Sequence, residues 1–443
     1  MSEGESLNCD LAVIGLGRIG LPIAINASIN GFKVLGVETN HNTVSLLSEK
    51  VVPFREEGLS DRLEKNLEVS FFPRHSDKLS KKDFFNVKYI MVAVGVHNIN
   101  RRYPEPFEYD SIERVVDYLI ENDSLKNRLL VLRPTQPIGS TNRVRELITS
   151  KTGWVEGQDY YIAYMPERIL EGSALLEESR LPKIIGTFND SSFEFANKML
   201  KKLGGQVKKV SKPEVAEFVK LLDNSWRHTR FAFANDAALA AENVGVDVIE
   251  AIEAANFDYP RNSIASPGPV SGYCLGKDPY IFEYAFHKTE SNRNFNSLWY
   301  YSILSSKYLL DYVVSKVEGN RVLLMGLSFK KNIDDYRLSH GIVILKKLLD
   351  LGYDVTIFDK DYNSNDYTVL DSDITNSIEI GSSLEGLILN KKFDSVIISL
   401  DNDEFVGKEA LLYKNGKILD LWGLYKDKKN EFEKYWSLGG LDK

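Results

Sequence analysis

Short apolar runs alternate with helical patterns along the first part of the chain. An apolar run at residues 10–15 ends in glycine, a helical pattern continues to residue 29, and a second apolar run covers residues 33–38. This succession is typical of a βαβ unit. Further strand-sized runs lie at residues 89–94, 129–132, 161–163 and 183–186. The alternation predicts a mostly parallel, doubly wound sheet over roughly the first 200 residues, with the chemistry at the carboxyl ends of its strands.

A different pattern begins after residue 205, where helical periodicity takes over. Ser211 and Glu214 stand at capping-box spacing, and the periodicity continues to residues 243–245. At 1.5 Å per residue this helix would be about 50 Å long, which is longer than one small domain needs. We therefore expect it to bridge domains and to contribute to a dimer interface. A second helical pattern follows at residues 297–317.

A second nucleotide-fold pattern begins near residue 321. The strand 322–326, the helix 339–351 and the strand 354–359 repeat the first βαβ unit in outline, but without its glycines. The strand-to-helix turn instead carries Phe329, Lys330, Lys331 and Arg337. A basic turn indicates an anionic ligand different from that of the first unit.

These patterns predict an α/β protein with two Rossmann-like, doubly wound domains joined by a helical central domain that contains the long connecting helix. The predicted limits are residues 1–205 for the first Rossmann domain, 206–318 for the central domain, and 319–443 for the C-terminal Rossmann-like domain. The length of 443 residues and the 43% apolar content fit a folded, multidomain protein.

Charge and cysteine content narrow the classes of function. The 55 basic and 63 acidic residues give a net charge of −8, so we expect neither nucleic acid nor a membrane surface as a partner. Cys9 and Cys274 are too few for a disulfide framework, and the six histidines lack metal-ligand spacing, so no metal is predicted. The N-terminus lacks a signal-peptide pattern and the apolar runs are strand-sized, which together predict a cytoplasmic protein.

The first strand-to-helix turn carries a dinucleotide-binding fingerprint. Gly15-Leu-Gly-Arg-Ile-Gly20 follows a strand and opens a helix, and Glu38 ends the next strand. The glycines allow a pyrophosphate to approach the helix N-terminus, and Glu38 would accept hydrogen bonds from the adenosine ribose, which favours NAD. Lys33 and His41 leave NADP possible, and a tight turn without a ligand is the other alternative.

Two further groups of residues have an ordinary structural interpretation beside a functional one. Lys220 and Asn224 lie four residues apart on the long helix, which on spacing alone favours a solvated face. Cys274 lies in a proline- and glycine-rich loop at residues 259–279. A buried, inert cysteine is the usual case, but the turn-forming neighbours and the adjacent Lys277 and Asp278 point to a reactive thiol.

The chain resembles the UDP-glucose/GDP-mannose dehydrogenase family, the nucleotide-sugar 6-dehydrogenases, over nearly its whole length. The segments that carry the resemblance are GLGRIGLP at 15–22, PTQPIGST at 134–141, MPERILEG at 165–172, EFVKLLDN at 217–224, PGPVSGYCLGKDP at 267–279 and GLSFKKNIDDYRLS at 326–339. They occur in the same order as in the family.

The resemblance implies oxidation of the C6 alcohol of a UDP-sugar to a carboxylate in two hydride transfers, with two NAD and one cysteine. Cys274 then matches the nucleophile that forms a thiohemiacetal and a thioester. The roles implied for the remaining catalytic residues are oxyanion stabilisation by Lys220 and Asn224, acid–base chemistry by Glu167 and Asp278, and a place near the cofactor and the reacting water for Thr135.

The same resemblance implies the binding residues. NAD is expected at Gly15, Gly17, Arg18, Ile19, Gly20, Glu38, Thr135, Glu171 and Arg337. The UDP-sugar is expected at Glu167, Arg168, Lys220, Asn224, Gly268, Phe329 and Lys330, with Arg261 reaching it from the neighbouring subunit. The C-terminal domain is thus expected to bind the UDP-sugar, and the chain is expected to form a homodimer or a higher homo-oligomer.

The sequence departs from the family pattern at three places. The usual Gly-Gly-His-Cys or Gly-Gly-Ser-Cys is replaced by Ser271-Gly-Tyr-Cys274, a Thr-Pro pair by Gly95-Val96 within Val94–His97, and a late histidine by Asn402. Ser271 adds a side chain where the family relies on close backbone approach.

The sugar is predicted from two loops that point to different branches of the family. Residues 166–168 and 260–269 resemble the branch that oxidises UDP-N-acetylmannosamine or UDP-N-acetylglucosamine, and we favour that branch. Residues 171–174 and 277–278 are more similar to UDP-glucose dehydrogenases, so UDP-glucose stays an alternative. A two-electron 3-hydroxyacid dehydrogenase and a non-catalytic relative that binds NAD or nucleotide sugars are the competing classes.

Overall fold

The computed structural model describes residues 7–95, 109–287, 295–362 and 378–441. The chain divides into two compact units, Met1–Asp223 and Asn224–Lys443. The three-domain division with limits at residues 205 and 318 stays a prediction.

The described part of the first unit contains an eight-stranded sheet in the order β3-β2-β1-β4-β5-β6-β7-β8. Its strands are β1 Leu11–Ile14, β2 Val34–Glu38, β3 Phe71–His75, β4 Tyr89–Val92, β5 Leu129–Leu132, β6 Tyr161–Tyr164, β7 Lys183–Thr187 and β8 Val207–Val210. The described neighbours pair in parallel except β6 and β7, which are antiparallel. The predicted doubly wound sheet is therefore confirmed.

Helices cover this sheet because its central strands are apolar on both sides, as parallel strands usually are. They are α1 Gly20–Ile29, α2 His41–Ser48, α3 Leu59–Asn66, α4 Asp110–Glu121, α5 Ser140–Thr152, α6 Ala174–Arg180 and α7 Asp190–Leu203, with 3-10 turns at Ser76–Lys78 and Lys81–Phe84. Every residue of β1, Leu-Ala-Val-Ile, is buried. Helix α1 is buried from Gly20 to Ser28, so the glycine turn that precedes it is held between two core elements.

The long helix is α8, Pro213–Val244, and its 32 residues confirm the predicted length, about 48 Å at 1.5 Å per residue. The unit boundary falls within it, between Asp223 and Asn224. Among the described residues, no helix is both long enough and apolar enough to cross a membrane.

In the described part of the second unit, a six-stranded parallel sheet has the order β11-β10-β9-β12-β13-β14. Its strands are β9 Arg321–Met325, β10 Asp354–Phe358, β11 Glu379–Ile380, β12 Ser395–Ile398, β13 Lys417–Asp420 and β14 Lys434–Ser437. The first strand again lies between the second and a later one, as in the first unit. The predicted second Rossmann-like fold is thereby confirmed.

Two apolar layers enclose this second sheet. Val322 and Leu324 of β9 belong to one core cluster, and Leu323 and Met325 belong to the other, because successive strand residues point to opposite faces. The helices of the unit are α9 Val248–Asn256, α10 Asp278–Phe286, α11 Leu298–Ser315, α12 His340–Asp350, α13 Leu384–Asn390 and α14 Glu409–Leu412, with 3-10 turns at Asp403–Phe405 and Lys426–Glu431.

Candidate active site

The glycine turn after β1 is shaped for a phosphate group. Gly15 has a φ of +89°, and a Cβ added to Gly20 would lie 1.7 Å from the Gly15 carbonyl oxygen, so glycine is required at both positions. Gly17 is exposed, and a Cβ there would meet no atom within 4 Å. The N-cap residue of α1, Ile19, offers no side-chain cap. The Leu21 N–H donates to the Gly17 carbonyl at 3.0 Å and Pro22 has no N–H, so an anion here would meet the N–H groups of the turn and of Gly20.

Glu38 is fixed at the mouth of this turn by backbone donors. Its Oε2 accepts from the Leu16 N–H at 2.8 Å, and its Oε1 accepts from the N–H groups of Thr39 at 2.7 Å and Asn40 at 3.0 Å. The carboxylate is half-buried and retains lone pairs for a ribose hydroxyl. The turn and the carboxylate therefore fit the adenosine and pyrophosphate of NAD.

Two further predicted NAD residues lie together beside the turn. The guanidinium of Arg18 pairs with the Glu171 carboxylate at 2.6 Å and lies over the ring of Phe54, 5.2 Å from its centroid. The loop that carries Glu171 is held by Glu56, whose carboxylate accepts from the N–H groups of Gly172 and Ala174 at 2.8 and 2.6 Å. Sequence reasoning did not identify Glu56, because its partners lie more than 110 residues away.

The carboxyl ends of β5 and β6 place Thr135 and Glu167 on neighbouring strands of the sheet. The Lys220 ammonium lies 3.4 Å from Glu167 Oε2, and the side chains of the pair are 5% and 7% exposed. A desolvated ion pair of this kind holds both charged groups in a defined place. Lys220 and Asn224 are buried at 4% and 5% exposure, so the solvated-face interpretation is wrong for both.

Glu217, one turn before Lys220, fastens α8 to the start of α5. Its buried carboxylate accepts from the Gly139 and Thr141 N–H groups at 2.6 and 2.8 Å, from the Thr141 hydroxyl at 2.6 Å, and from the Gln136 amide at 3.0 Å. Burial raises the pKa of Glu217, and these hydrogen bonds oppose the increase. The position of Lys220 thus depends on a residue to which sequence reasoning assigned no role.

In the second unit, Cys274 is exposed in a loop whose glycines allow close approach. Gly272 has a φ of +89°, and a Cβ there would lie 2.5 Å from the ring of Phe329. The Asp278 N–H donates to the Cys274 carbonyl at 2.9 Å, so the cysteine lies about one turn before α10. Cys9, in contrast, is buried, and burial raises the pKa of its thiol to about 12, in agreement with a structural role.

Asp278 and Asn224, to which the resemblance gives separate roles, are in contact within the second unit. The Asn224 amide donates to Asp278 Oδ2 at 2.5 Å, and the Lys277 ammonium lies 3.2 Å from Asp278 Oδ1. Asp278 is fully buried. A buried carboxylate with an amide donor and a cation beside it can hold or transfer a proton near the thiol loop.

Tyr273, which replaces the family's histidine or serine, has two cations near its ring. The Lys277 ammonium is 5.1 Å and the Arg337 guanidinium 4.8 Å from the centroid of its ring. Arg337 also donates to both oxygens of the buried Asp335, at 2.9 and 2.5 Å. The predicted cofactor residue Arg337 is therefore held beside the cysteine loop by its own ion pair.

The remaining predicted substrate residues fall into separate places. The Gly268 N–H donates to the side-chain oxygen of the buried Asn235 at 2.8 Å, and the Asn235 amide donates back to the Gly268 carbonyl at 3.0 Å. Lys330 is half-buried in the turn after β9. In the first unit, Arg168 pairs with Asp223 at 2.9 Å. Arg261 is exposed, and its Nε donates to the Tyr259 hydroxyl at 2.8 Å.

The structure places two of the residues at which the sequence departs from the family pattern. Val94 lies against Gly15, since its Cγ2 would be 3.0 Å from a Cβ there. Val96 and His97 lie outside the described residues. Asn402 Oδ1 accepts from the Asn332 N–H at 3.0 Å and so supports the turn after Lys331.

One histidine cluster was not expected from the sequence. Ligand atoms of His41, His75 and Asp77 lie within 4.8 Å of one another. The two imidazoles stack with centroids 3.5 Å apart and planes 5° apart, so their in-plane lone pairs do not converge on one ion. Both nitrogens of His75 already have partners, the Thr39 carbonyl at 2.8 Å and the Asp77 N–H at 3.2 Å. The arrangement favours a stacked structural pair over a metal centre.

The first unit contains a dinucleotide-binding turn. The second unit contains the loop with Cys274 and a second nucleotide-binding fold. Together these features indicate a dinucleotide-dependent dehydrogenase. Sequence profiles of the UDP-glucose/GDP-mannose dehydrogenase family match its NAD binding domain at residues 9–204, its central domain at 214–299 and its UDP binding domain at 323–427. The chain belongs to this family. NAD is thus the cofactor, and the expected NAD-dependent nucleotide-sugar dehydrogenase is confirmed as the class of enzyme.

Individual relatives agree with this assignment. The chain is 30% identical over 365 residues to the UDP-N-acetyl-D-mannosamine dehydrogenase of Methanocaldococcus jannaschii, and the matched region covers 81% of each chain. The solved UDP-D-ManNAc dehydrogenase of Pyrococcus horikoshii is similar with a TM-score of 0.82 and 25% identity, covering 97% of this chain and 99% of that one. A UDP-glucose dehydrogenase of Pyrobaculum islandicum has a TM-score of 0.84 at 23% identity, covering 99% of each, and shares the fold.

Proposed function

We propose that this enzyme oxidises the C6 alcohol of UDP-N-acetyl-D-mannosamine or UDP-N-acetyl-D-glucosamine to the uronate, with two NAD per sugar and a covalent intermediate on Cys274. The observation that carries the proposal is the exposed Cys274 thiol in a glycine-shaped loop, which leads at the start of α10 to the buried Asp278 and its Asn224 partner. An inert structural cysteine has no need of this setting, as the buried Cys9 illustrates.

The chemistry explains why a thiol is needed. NAD, when bound, accepts one hydride in each oxidation. The first oxidation converts the alcohol to an aldehyde, which has no second hydride to give until a nucleophile adds to its carbonyl. The Cys274 thiolate forms the C–S bond of a thiohemiacetal, and loss of the second hydride leaves a thioester. Water then cleaves the C–S bond, which releases the carboxylate and regenerates the thiol.

The other residues hold protons and charge at defined steps. Lys220 and Asn224 stabilise the negative oxygen of each tetrahedral stage, for which a cation and an amide donor are suited. Asp278 and Glu167 remove the protons of the alcohol and of the hydrolytic water, and Thr135 orients that water. Glu167 rests against Lys220 at 3.4 Å, so the carboxylate and the cation that act on the sugar oxygen are held as a pair.

The choice of sugar rests on the loop at residues 260–269 and on the relatives. The relative at 30% identity is named a UDP-N-acetyl-D-mannosamine dehydrogenase. The loop reaches Gly268, where a Cβ would lie 2.4 Å from the ring of Trp422, so its path is fixed by close packing. UDP-glucose is the alternative, supported by the similarity of residues 171–174 and 277–278 to that branch.

A homodimer is part of the proposal. Exposed large apolar side chains follow one face of α8 at Phe218, Leu222, Trp226 and Phe233, and a second exposed stripe on α11 contains Tyr301, Leu304 and Tyr308. Stripes of this size, at helical spacing, are typical of a surface that is covered by a second subunit. Arg261 would then act on the sugar of that subunit.

A substrate panel tests the proposal. NAD reduction is followed with UDP-N-acetylmannosamine, UDP-N-acetylglucosamine and UDP-glucose, and thermal shifts report binding of each. We expect kcat/KM for one N-acetyl sugar to exceed that for UDP-glucose at least tenfold. The reverse order would favour the UDP-glucose alternative. Thermal shifts without NAD reduction on any sugar would support the non-catalytic alternative instead.

A further inference from the structure

The cysteine loop, residues 268–276, is seated on the turn that joins β9 to α12, residues 326–339. The Gly272 N–H donates to the Leu338 carbonyl at 3.0 Å, and the Gly272 backbone lies against the ring of Phe329 so closely that a Cβ would be 2.5 Å from it. The loop with the thiol and the turn with the proposed UDP-sugar contacts are thus in direct contact within the second unit.

One side chain of the loop reaches past this contact into the core. The Ser271 hydroxyl lies 2.6 Å from Nδ1 of His340, the first residue of α12, and His340 is fully buried. Nε2 of His340 lies 2.7 Å from the Ser399 carbonyl, which can only accept, so Nε2 carries the proton and Nδ1 is the acceptor. The Ser271 hydroxyl therefore donates to the imidazole. Burial lowers the pKa of His340 to about 4, which keeps the ring neutral and able to accept near pH 7.

The other end of the loop is tied to the same carbonyl. The Trp422 indole N–H donates to the Ser399 carbonyl at 2.8 Å, and the Trp422 ring is the group that a Cβ on Gly268 would strike. Both ends of the segment from Gly268 to Ser271 are therefore fixed to one point at the end of β12, one end through packing and the other through a hydrogen bond.

We infer that Ser271 and His340 are a positioning pair that fixes the cysteine loop on the β9–α12 turn. The inference deepens the proposed function, since the loop carries the proposed nucleophile Cys274. Removal of the hydroxyl leaves a buried acceptor unsatisfied and frees the loop to shift, and a displacement of about 1 Å at a reacting atom can cost roughly 10²-fold in rate. The side chain at Ser271, a departure from the family pattern, thus has a specific use in this chain.

Variants at both positions test the pair. Ser271→Ala removes the donor. His340→Gln retains a donor toward the Ser399 carbonyl but has no acceptor at the position of Nδ1, which leaves Ser271 the Phe329 carbonyl at 3.4 Å. His340→Asn retains an acceptor near Nδ1 and should rescue. We expect Ser271→Ala and His340→Gln each to lower kcat about tenfold or more, while the affinity for UDP changes by no more than about twofold. The double variant should lose no more than either single variant, because two partners of one hydrogen bond are coupled and their effects are not additive. Ser305→Ala, which removes a hydroxyl that donates to Asp236 at 2.6 Å, is the matched control.

Hydrogen exchange supplies a readout that needs no substrate. The peptide that contains residues 268–276 should exchange at least about tenfold faster in Ser271→Ala and in His340→Gln, but not in His340→Asn or Ser305→Ala. If the variants exchange faster at residues 268–276 but the wild-type enzyme oxidises no UDP-sugar, the positioning pair would be supported and the proposed function contradicted. Unchanged exchange, or additive effects in the double variant, would overturn the inference. A loss of kcat without faster exchange would overturn it too, because Ser271 would then be a substrate contact.

Discussion

The two cysteines lie in opposite environments, and limited alkylation should separate them. Burial, aided by the nearby Asp10 carboxylate, raises the pKa of Cys9 from 9.0 to about 12. Since only the thiolate reacts, three pKa units lower the reactive fraction at pH 8 from about 9% to about 0.01%, roughly a thousandfold. Cys274, in contrast, is exposed.

Iodoacetamide at pH 8 followed by peptide mass spectrometry measures both rates. We expect one label per chain, at Cys274, with Cys9 modified at least about 10³-fold more slowly and activity lost in step with the label. Cys274→Ser should take up no label in the native state, Cys9→Ala should behave as the wild type, and urea should expose both thiols of the wild type.

Two labelling results would contradict these assignments. Labelling of native Cys9 within tenfold of the rate at Cys274 would show that the environment of Cys9 is wrongly described. Full activity after complete labelling of Cys274 would show that its thiol takes no part in the reaction.

Three further predictions concern buried groups. Lys220→Ala should lower kcat about 10²–10³-fold if Lys220 stabilises an oxyanion, and steady-state kinetics that show a change in KM alone would contradict this role. Glu217→Gln places an amide N–H against backbone N–H donors, so we expect urea unfolding to show a free energy of unfolding about 1–3 kcal/mol lower. The control Glu146→Gln, on the exposed face of α5, should leave the stability unchanged. Burial lowers the pKa of His228 from 6.5 to about 4. Between pH 6.5 and pH 4 the unfolded chain therefore binds more protons than the folded one. The free energy of unfolding should fall by up to about 3 kcal/mol as the pH is lowered through this range. Unfolding at pH 7 and pH 5 measures the loss, which His228→Gln should reduce; an equal loss in that variant would contradict the assignment.

The fold could be predicted from the sequence because buried parallel strands are nearly continuous apolar runs. Residues 129–132 and 354–359 illustrate this, since their runs match the strands Leu129–Leu132 and Asp354–Phe358 closely. Strand β8, Val207–Val210, was missed because it is Val-Lys-Lys-Val and largely exposed at the edge of the sheet. Strand β3 was missed because Pro73 and Arg74 interrupt its apolar pattern.

The candidate site could be predicted only where chemistry is local in sequence. The glycine turn and the cysteine loop are contiguous segments, so their residue types reveal a use. Spacing on a helix cannot show burial, and Lys220 was assigned to its site by family resemblance alone. The Ser271–His340 bond was inaccessible because 69 residues separate the partners, although the unusual serine itself was noticed.

The number of NADH molecules formed per molecule of sugar distinguishes a four-electron oxidation through Cys274 from a two-electron one. With the best sugar of the panel in limiting amount, we expect two NADH and one carboxylate product per sugar. Cys274→Ser should still bind NAD and the sugar but fail to complete the second oxidation. One NADH per sugar with accumulation of an aldehyde in the wild type, or two NADH per sugar in Cys274→Ser, would contradict the thioester mechanism.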